Sequence, residues 1–169
     1  MALLLCTSTY RKTFGLPEKL VVSDGVNNGL LGPWYGNTLF IGPQRYVHYM
    51  SSQTLLSVVV WLRERGTAEK RWAAALSELL VGLGVPAQAR AQEIESLTTV
   101  SYGRASDRSH LASMRDQKVT AKHLVNRAGL STPRDIMAAL VQMPSGPLAY
   151  RTPGQATVTL LTAADRRGA

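Results

Sequence analysis

The chain has 169 residues, 45% of them hydrophobic and 18% charged, with one cysteine and a net charge of +8. That composition excludes intrinsic disorder and a disulfide scaffold, and the length sets one domain as the simplest expectation. The charge is uneven: residues 101–150 carry 7 basic and 3 acidic side chains, an excess of +4 that is half of the total.

The single Cys6 fits a reducing, cytoplasmic setting. Met1–Cys6 is apolar over too short a run, with no basic flank, to read as a signal peptide. Thr54–Leu62 also falls short of the ~20 apolar residues that a membrane span takes.

In chain order, Leu3–Thr7 reads as a short buried strand and Ser8–Leu16 as a helical turn that stops before Pro17. Residues 17–33 are dense in turn-formers, with an edge strand expected over Lys19–Ser23. Thr38–Ile41 and Arg45–Tyr49 form a hairpin around Gly42-Pro43-Gln44, and Leu55–Leu62 is a continuous apolar strand. From Thr67 the period changes to that of a helix, with Trp72, Leu76, Leu79, Leu80 and Leu83 on one stripe. A second helix runs from Pro86 to about Ser96, where Glu93 and Glu95 point to opposite sides and read as solvated charge.

Thr98–Tyr102 returns to strand composition, and Ser106 or Asp107 caps a long basic helix. Leu111, Met114, Ala121, Leu124 and Val125 mark its core face. Thr132–Met143 carries one more helix. The fold expected is α+β: a small, mostly antiparallel sheet with an N-terminal strand and a central hairpin, packed against amphipathic helices. Residues 1–143 form the single domain, and the Pro- and Gly-rich stretch 144–169 reads as a loosely ordered tail.

Chemistry is thin. One cysteine and three scattered histidines make no metal site, and no cofactor is implied. Cys6 lies in an apolar run where thiols are inert packing groups. Ser109 and Ser113 flank His110 in sequence without a nucleophile elbow, and residues 25–32 lack a phosphate-binding glycine pattern. An enzymatic reading rests on His110 as general base with Arg108 and Arg115 as an anion clamp, which requires the three to converge.

Two nucleic-acid readings stand beside it. Thr120–Val141 has the outline of a helix-turn-helix, with Gly129 in the turn, but Asp135 and Pro133 fall where that motif wants other residues; a plain helical hairpin fits better. Arg104, Arg108, Arg115, Lys118, Lys122 and Arg127 also make an electrostatic track suited to a nucleic-acid backbone or an acidic protein or nucleoprotein. A third surface is built from the aromatics Trp34, Tyr35, Tyr46 and Tyr49, an interface if exposed and core if buried.

Asp107–Asp116, Asp-Arg-Ser-His-Leu-Ala-Ser-Met-Arg-Asp, resembles the Asn-Arg-Ser-Val-Leu-Gly-Ser-Met-Asn-Asp signature of an uncharacterised bacterial family, domain of unknown function 6933. Arg108, Ser109, Leu111, Ser113, Met114 and Asp116 match; Asp107, His110, Ala112 and Arg115 depart. The resemblance extends to Leu4–Thr7, Trp34-Tyr35, the hairpin and Thr54–Val60, about residues 3–127 in all. It implies an α+β layout and a bacterial, phage or plasmid source, and it brings no activity with it. Arg108 and Asp116 read first as fixing the strand-to-helix corner. The function expected is a small basic interaction module, not an enzyme, in a defence, counter-defence or toxin–antitoxin setting.

Overall fold

The structure is a computed structural model and describes residues 1–17, 26–63 and 65–168. Five strands form one mixed sheet in the order β4-β3-β2-β1-β5. They are β1 Ala2–Cys6, β2 Trp34–Ile41, β3 Gln44–Ser51, β4 Ser57–Trp61 and β5 Val100–Arg104. The β2–β3 hairpin and β4 pair antiparallel, whereas β1 pairs parallel with both β2 and β5. The fold is α+β, as the residue pattern predicts. The edge strand expected at Lys19–Ser23 lies outside the described residues.

Among the described residues six helices accompany this sheet: α1 Ser8–Phe14, α2 Ala68–Gly82, α3 Ala87–Ser96, α4 Arg108–Ala128, α5 Pro133–Val141 and α6 Pro153–Gly168. Alternation along the strands sends Leu4, Trp34, Tyr49 and Val58 to one face. There α2 lays Trp72 flat on Tyr49, centroids 4.3 Å apart, and edge-on to Trp34 at 5.2 Å. Leu5, Tyr35, His48, Met50 and Ser57 face the other way, under α4. Trp34, Tyr35, Tyr46 and Tyr49 are all buried. The hairpin aromatics are therefore core, and the third surface is ruled out.

Two further expectations are corrected. Glu93 is not solvated but fully buried: its carboxylate accepts from Leu31 N–H at 3.0 Å and from the Trp34 indole N–H at 3.2 Å. Burial raises its pKa, and the donated hydrogen bonds oppose that rise. Its partners lie about 60 residues away in sequence, which is why it reads locally as surface. The stretch expected as a loose tail, 144–169, is ordered over its described residues 144–168. A 3₁₀ turn at Gly146–Leu148 leads into the sixteen-residue α6, which buries Ala156, Thr157 and Leu161. The Thr157 hydroxyl bonds Thr54 Oγ1 at 3.0 Å, tying the helix to the β3–β4 turn.

That turn is strained and braced. Leu55 sits in the left-handed region at φ 56°, a conformation costing about 1–2 kcal/mol for an L-residue. Its N–H reaches Ser51 O at 3.1 Å, and its carbonyl accepts from Gln117 Nε2 of α4 at 2.9 Å.

Candidate functional site

Everything singled out in sequence converges on α4. Asp107 starts this helix by accepting from the N–H groups of Ser109 and His110 at 2.8 and 3.1 Å. Those bonds and the His110 ring beside it lower the Asp107 pKa. Gly129 ends the helix at φ 66°, its N–H returning to Leu124 O. Between them run twenty-one residues whose sides do three different things.

The inner side buries Met114, Gln117 and Ala121 against the sheet. Gln117 accepts from Ser57 Oγ at 2.5 Å while donating to Leu55 O. Ser57 has one proton and gives it to Gln117, so His48 Nε2, 2.9 Å away, must be the donor to Ser57. His48 Nδ1 is then a buried lone pair with no partner among the described residues. Burial lowers the His48 pKa to about 4, opposed by the Gln117 side chain. The reading from sequence missed this chain. Gln117 was its visible signal, a polar residue in helical phase with Met114 and Ala121.

The second side is basic. At 100° per residue, Arg108, Arg115, Lys118 and Lys122 fall within about 80° of one another. Arg108, Arg115 and Lys122 are exposed and Lys118 is half-buried. None of the four has an ion pair with any described residue. Arg127 lies about 100° from Arg108, beyond the far margin of the stripe, and Arg104 precedes the helix on β5. So the structure gathers four of the six expected cations and separates two.

The His110, Arg108 and Arg115 constellation is not assembled. His110 lies about 200° around the helix from Arg108, directed inward. Its ring stacks on Tyr35 at 4.8 Å, its Nε2 donates to Ser52 O at 3.0 Å, and its Nδ1 lies 3.2 Å from Asp107. Both nitrogens face groups of the fold. Among the described residues no three His, Cys, Asp or Glu side chains group as metal ligands. Cys6 is buried, and burial pushes its thiol up to about 12.

The helix-turn-helix outline resolves into a helical hairpin. Thr132 caps α5 by accepting from Asp135 N–H at 3.2 Å and donating to Asp135 Oδ2 at 2.6 Å, with Pro133 in the first turn. The two residues that break the motif are thus the ones that start this helix. α5 buries Ile136, Met137, Leu140 and Val141 and leaves only Arg134 and Ala138 exposed, too little to read a groove.

The third side of α4 carries Ser109, Ser113 and Asp116, signature positions all, and lines a cleft of about 300 Å³. Residues 143–147 and Pro153 form the opposite wall. No helix is long and apolar enough to cross a membrane among the described residues.

No curated protein and no solved structure matches the chain. A family model does, over residues 3–156, well past the point near residue 127 where the signature resemblance stops. That span takes in both walls of the cleft and the first turn of α6. On this match the chain belongs to the family described as domain of unknown function DUF6933.

Proposed function

We propose that this protein is a small, basic, non-enzymatic interaction module that docks the sugar–phosphate backbone of a nucleic acid on the outer stripe of α4. The observation that carries the reading is the state of Arg108, Arg115 and Lys122: exposed, aligned, and without a carboxylate partner. Surface cations normally gain little from one another's company, and an unneutralised row of them attracts polyanions. Seven-residue spacing sets them about 10.5 Å apart along the helix, with Lys118 between two of them. Such contacts position a backbone and carry no base readout, so binding is indifferent to sequence. A cytoplasmic location, where nucleic acid and a reduced Cys6 coexist, goes with this reading.

Fluorescence anisotropy with a generic DNA duplex and a generic single-stranded RNA tests it. Binding is expected at low salt, with log K falling against log salt at a slope of about −3 to −4 for the duplex and about −2 to −3 for the single strand, as three or four neutralised phosphates require. Reversing Arg115, Lys118 and Lys122 to Glu is expected to weaken it at least tenfold. No binding at low salt sinks the nucleic-acid reading. Binding that survives the reversal places it on another surface. Uptake of polyglutamate but not of either nucleic acid transfers the stripe to an acidic protein partner.

A further inference from the structure

The basic stripe leaves the cleft on the third side of α4 without a role, and its chemistry is of the opposite sign. Ser109, Ser113 and Asp116 recur at four and three residues, so they share one side of the helix within about 60°, with Ser109 between Asp116 and Ser113 in angle. Asp116 is the only formally charged side chain in the lining. Its carboxylate has no ion pair and no hydrogen bond with any described residue, and neither the Ser109 nor the Ser113 hydroxyl is bonded. Gln117, at the base, is already spent on Ser57 and Leu55. The polar end of the cleft thus offers one anion and two hydroxyls, all free.

The rest of the lining is mostly apolar and fixed. Leu55, Met143, Pro144, Pro147 and Pro153 supply it, with Ser145 and Gly146 between the prolines. Met143 is held to α4 through the Thr120 hydroxyl, 3.5 Å from its sulfur. Residues 145–151 close on themselves: Ser145 N–H bonds Arg151 O, and Ser145 O accepts from both Leu148 and Tyr150 N–H. Ala149 and Tyr150 sit in the left-handed region at φ 52° and 62°, which only such a closed frame sustains in non-glycine residues. A braced, mostly apolar wall facing a carboxylate and two hydroxyls suits an amphipathic guest. It must bring a positive end with several N–H donors on an aliphatic stem. Phosphates and carboxylates are repelled by Asp116, and about 300 Å³ lies at the lower limit of ligand pockets. We infer that this cleft binds the ammonium or guanidinium end of an alkyl chain, with Asp116 as counter-ion, Ser109 and Ser113 as acceptors beside it, and the stem lying on the proline wall.

Two sources carry that chemistry: a free aliphatic amine, or a lysine or arginine side chain of a peptide. Amide-resolved NMR titration of the full chain separates them. The probes are putrescine and agmatine in one arm, and acetyl-Gly-Lys-Gly-amide and acetyl-Gly-Arg-Gly-amide in the other. The norleucine peptide, with stem but no charge, is the control. Saturable shifts confined to residues 109–117 and 143–148 are expected at about millimolar probe, because an exposed contact of this kind is weak. Response in one arm alone assigns the source; response in both leaves the site open to either. Asp116→Asn is expected to weaken binding at least fivefold with an unchanged unfolding midpoint. Ala112→Leu, which narrows the cleft from an exposed position, is expected to do the same. Arg115→Glu and Lys122→Glu, which abolish the polyanion reading, are expected to leave it intact. Equal binding of the norleucine peptide, indifference to Asp116→Asn, or no shift with any probe at about 10 mM overturns the inference.

Discussion

At the scale of single residues, His48 is the group whose chemistry the fold changes most. It stands neutral in the core, its Nε2–H given to Ser57 and its Nδ1 unmatched. Its pKa drops from 6.5 to about 4 on folding, so between those values the unfolded chain binds more protons than the folded one. Stability is therefore held above about pH 6.5 and lost as pH falls towards 4. The loss is on the order of 3 kcal/mol at 1.36 kcal/mol per unit. Glu93 works against this, since its pKa is raised and its burial penalty eases as acid neutralises it. The clean measurement is a difference. Urea midpoints at pH 7 and pH 4.5, compared between the native chain and His48→Gln, are expected to show a smaller acid loss in the variant. An equal loss in both would show that His48 does not titrate in this window. Neither residue was legible from its neighbours. His48 alternates on a hairpin as any surface histidine does, and Glu93 is held by the Leu31 backbone N–H and the Trp34 indole N–H, both about 60 residues away in sequence.

At the scale of elements, α4 shows what helical spacing reveals and what it hides. Its cap and part of its core side follow from period and residue type: Met114 and Ala121 are buried as expected, Leu111, Leu124 and Val125 only half-buried, and Arg104 and Arg127 stand apart from the other cations. Asp107 departs from the asparagine of the signature, yet both side chains accept from first-turn N–H groups, so the change preserves the cap. Asp107→Ala is expected to lower the urea midpoint at constant slope, with Asp107→Asn close to neutral. A midpoint unchanged in Asp107→Ala would mean that the first turn is held by other contacts, the His110–Tyr35 stack foremost. The cleft was hidden for a different reason. Ser109, Ser113 and Asp116 are visible in α4, but the proline wall opposite them is contributed some thirty residues later.

At the scale of the whole molecule, composition misled at the C-terminus and topology explains why. Pro, Gly, Thr and Ala between residues 144 and 163 look unstructured one by one. Packed against α3 and α5 and bonded through Thr157 to the β3–β4 turn, the same residues form a helix that buries Ala156 and Thr157. If α6 is an integral part of the fold, Leu161→Ala should lower global stability by about 2–5 kcal/mol, as buried leucine truncations do. Helix circular dichroism and the fluorescence of Trp34 and Trp72, far along the chain, are expected to lose their signals at one shared midpoint. A variant with native stability, or two separated transitions, would mean that α6 folds apart from the sheet.

The placement of β1 has a consequence in time. Ala2 pairs with Val100 and Leu4 with Trp34, so β1, made well before β5, stands between two partners one strand in from the sheet's edge. At about 5–20 residues per second, β5 follows β1 out of the ribosome on the order of five to twenty seconds later. Throughout that interval the apolar run Leu3–Cys6 keeps one bare edge. Nascent chains of this protein are thus expected to need shelter, and the cell's means of providing it bear first on residues 2–6.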